Sequence, residues 1–254
     1  MTPDSHASAG ALPEADIVAE AARVLAAGHD TPLRLVGGLA IALVTRPEPL
    51  LPRDYKDIDF VTTRKGRTAS ASLFTELGYE PDETFNALNG NRRLLFYDRH
   101  NGRQVDIFVG SFEMCHVLPI EERLLVRRET LGLVDLLLTK LQIFSLNEKD
   151  QRDILNLLYR HPLSDVDDEG INLSHLAGLC AADWGLWRTV TLNLERVRGA
   201  VRQYELTDEQ QELITSRVDD IRRRIDAQPK RAKWKLRARV GERMRWYEEP
   251  EEVQ

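Results

Sequence analysis

The segment 56–61 limits the fold most, because acidic and apolar residues alternate along it. Asp57 and Asp59 stand two residues apart, with Ile58 and Phe60 as their apolar neighbours. Successive side chains of an extended chain point to opposite faces, so both carboxylates face one side while the apolar pair faces the core. The pattern predicts a strand that is buried on one side and carries two acids on the other.

Two carboxylates held side by side repel each other unless a cation lies close to both. Proteins usually hold Mg²⁺ with one or two carboxylates and the phosphates of a substrate. Asp57 and Asp59 are therefore a candidate metal site. The alternative from the residues alone is a pair of solvated aspartates on an exposed face.

Helical and extended patterns are mixed along the rest of the chain. Predicted helices cover 14–27, 39–44, 68–77, 131–146 and 149–159, and predicted strands cover 33–36, 58–62, 92–97 and 104–109. Every segment from Asn172 onward has a helical pattern, whereas residues up to Leu12 are small and polar and are expected to be disordered. This mixture predicts an α+β fold with a small mixed β-sheet, flanking helices and an all-helical C-terminal region.

The same patterns divide the chain into three regions. Residues 1–30 are expected to be a tail and a helix, 31–162 a sheet domain with the candidate catalytic residues, and 163–254 a helical region with a basic segment. The last boundary lies in the acidic stretch from His161 to Asp168, which contains a proline, as linkers often do.

The first predicted strand runs directly into Gly37 and Gly38, and a short apolar helix follows. Glycines let the backbone approach a ligand closely, and the free N–H groups at a helix N-terminus attract phosphate. This turn is a candidate phosphate site, although Gly-Gly turns are common for other reasons.

Asp106 is the third acidic candidate, because it lies among apolar residues in the predicted strand 104–109. A buried carboxylate needs a partner. If this strand lies beside the Asp57–Asp59 strand, Asp106 supplies a third metal ligand. The alternative is a structural ion pair with Arg92, Arg93 or Arg103.

Lys140 lies within the apolar stripe of the helix predicted over 131–146. A lysine there must pair, extend to solvent or reach into a site. Asp150 and Asp153 begin the next helix and share one of its faces. The alternatives to a functional role are helix capping by Asp150 and a structural salt bridge between Lys140 and Asp153.

Composition excludes several classes of protein. Hydrophobic residues make up 42% of the 254 residues, which is enough for a core, and the net charge is −6. Cys115 and Cys180 are too few for a disulfide framework or a zinc site. The first residues lack the pattern of a signal peptide and no apolar run is long enough to span a membrane, so a cytoplasmic location without membrane association is expected.

The segment 222–245 is strongly basic, with 11 Lys and Arg against Asp226 and Glu242, so the rest of the chain carries −15. Aromatic residues lie in and just after it, at Trp234, Trp246 and Tyr247. Such a segment can hold nucleic acid through phosphate contacts and base stacking. The alternative is a solvated helix face that pairs with acidic residues elsewhere.

Together these motifs resemble the polymerase-beta-like nucleotidyltransferase superfamily, in particular the AbiEii-like and MenT-like toxins. The resemblance covers roughly Leu33 to Tyr159, and its motifs are Gly37-Gly38, Arg53-Asp54-Tyr55-Lys56-Asp57-Ile58-Asp59, Thr139-Lys140-Leu141 and Lys149-Asp150-Gln151-Arg152-Asp153. The sequence departs from the family at Gly38, where many relatives have Ser, and at Tyr55, where Ser or Thr is usual. The third aspartate is typical of antibiotic nucleotidyltransferases, so the motifs leave both branches open.

The resemblance implies a nucleotidyltransferase that moves a nucleoside monophosphate from ATP or another nucleoside triphosphate to a tRNA, a protein side chain or a small molecule. It implies Mg²⁺ or Mn²⁺ as the cofactor and an antitoxin protein as a candidate partner. The implied residues are Asp57, Asp59 and Asp106 for the metal, Gly37, Gly38, Arg53 and Lys140 for the nucleotide, and Asp57, Asp59, Asp106, Lys140 and Asp153 for catalysis. The competing hypothesis is a non-catalytic nucleotide- or nucleic-acid-binding protein that keeps the fold and binds through the basic segment.

Overall fold

A computed structural model of the chain describes residues 14–99 and 101–249. The predicted disorder up to Leu12 falls outside these residues. The fold can be followed from the first helix, α1 (Glu14–Ala27), to the residues just after the basic segment.

A five-stranded mixed sheet forms the centre of the first half of the chain. Its spatial order is β1 (Leu33–Val36), β2 (Ile58–Thr62), β5 (Arg103–Val109), β4 (Arg93–Asp98) and β3 (Glu80–Pro81). Only β2 and β5 run parallel, and the other neighbours are antiparallel. The prediction of an α+β fold with a small mixed sheet is confirmed.

One face of the sheet packs on α1 and on α3 (Arg67–Glu76). Phe60 of β2 and Phe96 of β4 point to this side, and both rings contact Phe74 of α3, with centroids 5.5 and 5.4 Å apart. The apolar positions of the alternating segment therefore form the core, as predicted. The acidic positions are left facing the other side of the sheet.

On that other side lie α2 (Gly37–Val44), α5 (Leu133–Leu141) and α6 (Glu148–Arg160). The sequence predicted a longer helix over 131–146, and this prediction was wrong at its C-terminal end. The amide of Asn193 donates hydrogen bonds to the carbonyl of Leu141 at 2.9 Å and to that of Ile143 at 2.7 Å. Since these carbonyls bind a distant helix, the chain leaves the helical path there.

Several short elements were not predicted, among them β3, α4 (Glu83–Asn89) and the hairpin of β6 (Ser111–Glu113) and β7 (Val117–Pro119). The α4 helix begins where the carboxylate of Asp82 accepts a hydrogen bond from the amide of Phe85. These elements are too short to give a clear period in sequence.

Four α-helices follow in the part of the chain that the structure describes: α7 (Leu173–Ala182), α8 (Trp184–Ala200), α9 (Asp208–Ala227) and α10 (Ala232–Val240). The helical prediction from Asn172 onward is confirmed for these four helices, whereas residues 244–249 are not helical. The predicted region 163–254 is not wholly helical, however, because β8 (Leu163–Ser164) and β9 (Ile171–Asn172) form a small parallel pair at its start. None of the helices described has both the length and the apolar character that a membrane crossing requires.

Buried apolar side chains form one continuous core that runs from Ile17 in α1 to Ile225 in α9. Helices α5 and α6 contact α2, which packs on β1 and β2, and they also contact the C-terminal helices. The sheet and the C-terminal helices are therefore held together by shared packing, and this packing fixes where the polar face of the sheet lies.

Candidate functional site

Three carboxylates meet on the polar face of the sheet. Asp59 is half-buried in β2 and stands directly opposite Asp106 of β5, which is 3% exposed. Asp57 is exposed and immediately precedes β2, which begins at Ile58 as predicted. The parallel pairing of β2 with β5 places Asp106 beside the acidic pair, as expected.

The carboxylates disturb one another electrostatically. Burial and the charge of Asp106 raise the pKa of Asp59 to about 7, although Lys140 and Arg93 act in the opposite direction. The same two causes, partial burial and Asp106, raise the pKa of Asp57. Both carboxyls therefore resist ionisation, because burial and the neighbouring carboxylate outweigh the cations nearby.

Asp106 has its own partners within the sheet. Arg93 donates from Nε to one carboxylate oxygen at 2.7 Å, and Gln104 donates from Nε2 to the other at 2.9 Å. Of the three arginines that could form an ion pair with Asp106, Arg93 is the one that does. Arg92 pairs with Glu113 and Arg103 with Glu20.

The glycine turn lies directly against the acidic strand. Gly37 has φ of +72°, and a Cβ atom there would lie 2.2 Å from Oδ2 of Asp59. A Cβ atom on Gly38 would lie 1.8 Å from Nη2 of Arg53. The turn begins α2, whose N-cap residue Val36 provides no side-chain acceptor. Only glycine allows this close approach, and it leaves the first N–H groups of α2 without a capping side chain.

Arg53, Lys140 and Asp153 form one buried network. Asp153 is fully buried and accepts two hydrogen bonds from Arg53, from Nε and Nη2, both at 2.8 Å. Lys140 Nζ lies 3.0 Å from Asp153 and 2.9 Å from Asp150. The alternative of a Lys140–Asp153 salt bridge is therefore found, and Asp150 is a second partner. Asp150 is not the helix cap, because Asn147 accepts the capping hydrogen bond.

Tyr55 packs against Arg53. Its ring is 4% exposed, and the guanidinium carbon of Arg53 lies 4.4 Å from the ring centroid. A cation over an aromatic ring is held in place by the ring's quadrupole. Tyr55 and Asp153 thus hold Arg53 from two sides, a contact that sequence reasoning missed.

Carboxylate oxygens are the ligands that a divalent metal such as Mg²⁺ prefers, so the three aspartates are the residues that could hold one. Within residues 14–99 and 101–249, no three His, Cys, Asp or Glu side chains form a ready metal cluster. Asp57 and Asp59 nevertheless fit a cation that phosphate oxygens help to hold, since both are carboxylates that resist ionisation without one. Asp106 fits less directly because both of its oxygens already accept hydrogen bonds.

The basic segment 222–245 divides into two parts. Its first arginines pair with acids, for example Arg222 with Glu195 at 2.7 Å and Arg224 with Asp165 at 3.1 Å. The second part carries exposed cations for which the described residues offer no acidic partner: Arg231, Lys233, Lys235, Arg239 and Arg243. The alternative of an acid-paired face thus holds for the first part and for Arg245, which pairs with Glu249 at 2.7 Å.

The aromatic residues of this segment belong to the protein's own packing. Trp234 contacts Trp187 with centroids 5.1 Å apart, and Trp246 contacts Trp184 at 6.0 Å. Tyr247 stacks on a phenylalanine at 3.8 Å. The rings lie mainly within the fold, so the exposed cations of α10 are the features of this segment that face solvent.

Comparison with known proteins gives only distant likenesses. No protein-family model matches this sequence, and no curated protein matches it. The crystal structure of JHP933 from Helicobacter pylori is similar with a TM-score of 0.42 and 12% identity, over 90% of this chain and 99% of that chain. The STING-associated CdnE c-di-GMP synthase from Capnocytophaga granulosa is similar with a TM-score of 0.28 and 11% identity, over 85% of this chain and 80% of that chain. Likenesses this distant leave function to be argued from the site.

Proposed function

We propose that this chain is a metal-dependent nucleotidyltransferase, which moves a nucleoside monophosphate from a nucleoside triphosphate to an acceptor. One observation carries the proposal: Asp59 lies between Asp106 of the neighbouring strand and Gly37 at the start of α2. Carboxylates for a metal and free N–H groups for phosphate are therefore side by side.

In this proposal Asp57 and Asp59 hold Mg²⁺ or Mn²⁺. A divalent cation supplies charge neutralisation for the phosphates of the donor and for the charge that develops during transfer. Lys140 and Arg93 oppose the rise in the pKa of Asp59. These cations keep Asp59 closer to the ionised form that a metal requires.

The phosphates are expected at the first turn of α2. Gly37 and Gly38 present backbone N–H groups there, and Arg53 lies directly over Gly38. Lys140 joins Arg53 through their shared partner Asp153. Asp153 therefore positions both cations proposed to contact phosphate, and Asp150 pairs with Lys140 as well, at 2.9 Å.

In the proposed transfer step, one hydroxyl group of the acceptor reacts with the nucleoside triphosphate. Its oxygen forms a bond to the α-phosphorus while the bond from that phosphorus to the bridging oxygen breaks and pyrophosphate leaves. The proton of the hydroxyl passes to Asp106, whose carboxylate is held in place by Arg93 and Gln104.

The branch of the superfamily is proposed from the sequence motifs. The order of Lys140 and the segment 149–153 supports the AbiEii-like or MenT-like toxin branch, with an antitoxin partner, a cytoplasmic location and ATP as the first donor to test. Asp106 supports the antibiotic nucleotidyltransferases instead. Acceptors that fit one branch or the other are a tRNA, a protein side chain and a small molecule.

The test is a thermal shift with each nucleoside triphosphate, with and without Mg²⁺. One triphosphate is expected to raise the Tm of the wild type only with metal, and the Asp57→Asn/Asp59→Asn variant is expected to lose this response. The matched control is Asp219→Asn/Asp220→Asn, which removes two neighbouring acids from α9. If no triphosphate stabilises the wild type with metal, the proposal fails.

A second candidate function is nucleic-acid binding through the unpaired cations of α10, either alone or to present a tRNA acceptor. Because Trp234, the aromatic residue of α10, packs on Trp187, binding is expected to depend on phosphate charge. Gel-shift titration with tRNA at several salt concentrations measures this. Lys233→Ala/Lys235→Ala/Arg239→Ala is expected to reduce the salt slope by about 3, whereas Arg222→Ala/Arg224→Ala is not. An unchanged slope in the triple variant contradicts this candidate.

A further inference from the structure

A cavity of about 450 Å³ lies beside the acidic face of the sheet. Its walls come from the start of β4, from the β6–β7 hairpin and from residues 244–249, which we call the C-terminal strap. The volume lies within the roughly 300–1,000 Å³ that small-molecule sites occupy. No residue of the proposed metal or phosphate site lines it.

The cavity is nevertheless joined to that site through two residues. Arg93 lines the cavity and donates from Nε to Asp106 at 2.7 Å. Phe108 also lines it and stands two residues after Asp106, hence on the same face of β5. A ligand that contacts Arg93 in the cavity is therefore linked through this side chain to Asp106, the carboxylate proposed to accept the proton.

The strap is a packed wall with defined contacts. Trp246 donates from its indole N–H to the hydroxyl of Thr189 at 3.1 Å. Tyr247 stacks on Phe144 with centroids 3.8 Å apart. The amide of Glu248 donates to the carbonyl of Cys115 at 3.0 Å, which joins the strap to the hairpin. These contacts hold both rings at the cavity, where each is half-buried.

The polar lining has both signs of charge. Arg93 is 17% exposed in its side chain, and its two terminal nitrogens donate no hydrogen bond to a described residue. Glu113, Glu248 and Glu249 provide carboxylates at the same cavity. Arginine nitrogens recognise phosphate, aromatic rings stack on bases, and carboxylates accept hydrogen bonds from exocyclic amino groups. Together these groups fit a nucleotide.

We propose that this cavity binds a nucleotide as the acceptor of the transfer reaction. The phosphate contacts Arg93, the base contacts Trp246 and Tyr247, and a ribose hydroxyl is brought towards Asp106. The acceptor role rests on the proposed function, whereas the binding site does not. A free mononucleotide and the terminal nucleotide of an RNA strand share this chemistry.

The test measures binding of AMP, CMP, GMP and UMP, and of the corresponding trinucleotides, by calorimetry without Mg²⁺. Val117→Trp adds a large side chain at the rim, where Val117 is 64% exposed, so the fold should tolerate it. Leu125→Trp is the matched control, because Leu125 is 85% exposed and does not line the cavity. We expect Val117→Trp to weaken binding by about tenfold or more and Leu125→Trp to leave it unchanged.

The Asp57→Asn/Asp59→Asn variant separates the two proposals. It is expected to lose the metal-dependent response to triphosphates and to keep binding of the mononucleotide or trinucleotide. Binding of a trinucleotide alone identifies the strand end as the ligand, and binding of a mononucleotide identifies the free form. If neither probe binds, or if Val117→Trp binds as well as the control, the cavity is not a nucleotide site.

Discussion

At the scale of single residues, Asp59 determines how the site responds to pH. In the folded state it keeps its proton up to about pH 7, whereas in the unfolded chain it releases it in the ordinary range of a carboxyl. The folded state therefore binds more protons in this window. The stability that Asp59 contributes is fully present at acidic pH and is lost as pH rises through about 7.

We predict from this that Asp59→Asn raises the Tm of the metal-free protein more at about pH 8 than at about pH 5.5. Asparagine removes a charge that the site opposes only at the higher pH. Thermal denaturation of both proteins across this range gives the measurement. For the wild type, Mg²⁺ affinity should rise as pH passes through the same window, because the metal needs the ionised form. A pH-independent difference in Tm would contradict this account.

Gly37 is the second residue-scale test. Its positive φ and the 2.2 Å approach of a Cβ atom to Asp59 both exclude a side chain. Gly37→Ala is expected to cost about 1–3 kcal/mol in the free energy of unfolding. Gly178→Ala in α7 is the control, because a Cβ atom there meets nothing within 4 Å. Urea denaturation should show the control as neutral or slightly stabilised, since alanine favours helix.

At the scale of elements, the C-terminal strap covers apolar surface that α8 and the segment after α5 would otherwise expose. Trp246 lies 5.6 Å from Phe144 and 6.0 Å from Trp184 between ring centroids. Its side chain is therefore part of the packing that joins the strap to the body of the protein.

Trp246→Ala is predicted to lower the free energy of unfolding by about 3 kcal/mol, because it removes a large ring from aromatic contacts. Met244→Ala should change it by about 0.5 kcal/mol or less, since Met244 is 64% exposed. Denaturant unfolding of both variants provides the comparison. Equal effects of the two changes would mean that the strap does not pack as described.

The sequence predicted the elements with a regular period and missed those without one. The alternation around Asp59 gave β2, its buried face and its acidic face. The place of Asp106 beside it depended on parallel pairing of two strands, which the apolar patterns allowed but did not require. Arg93 and Tyr55 as partners were not predictable, because their contacts follow from strand register and from a loop. The early end of α5 depends on Asn193, which lies about 50 residues further along the chain.

At the scale of the whole molecule, the sheet and the C-terminal helices share one core. Arg123, just after the hairpin, adds a polar link, with hydrogen bonds of 2.9 Å to Asp135 in α5 and 2.7 Å to Asp167 near the predicted boundary. Regions that share apolar packing unfold together.

A single cooperative transition is therefore predicted. Trp184, Trp187, Trp234 and Trp246 are the only tryptophans, so their fluorescence reports on the C-terminal helices. Far-ultraviolet circular dichroism reports on the whole chain. The two signals are expected to give the same midpoint and the same slope in urea. Two separated midpoints would show that 31–162 and 163–254 unfold as independent domains.

The contact between Arg53 and Asp153 also determines when the candidate site can form during synthesis of the chain. The two residues are 100 positions apart, so their contact forms only after a large loop has closed. While the ribosome is still making the first helices, Arg53 has no buried anchor and the turn at Gly38 has no fixed cation above it. Helix α6 must be synthesised before the contact between Arg53 and Asp153 can form. Synthesis itself thus delays completion of the candidate site until α6 has been made.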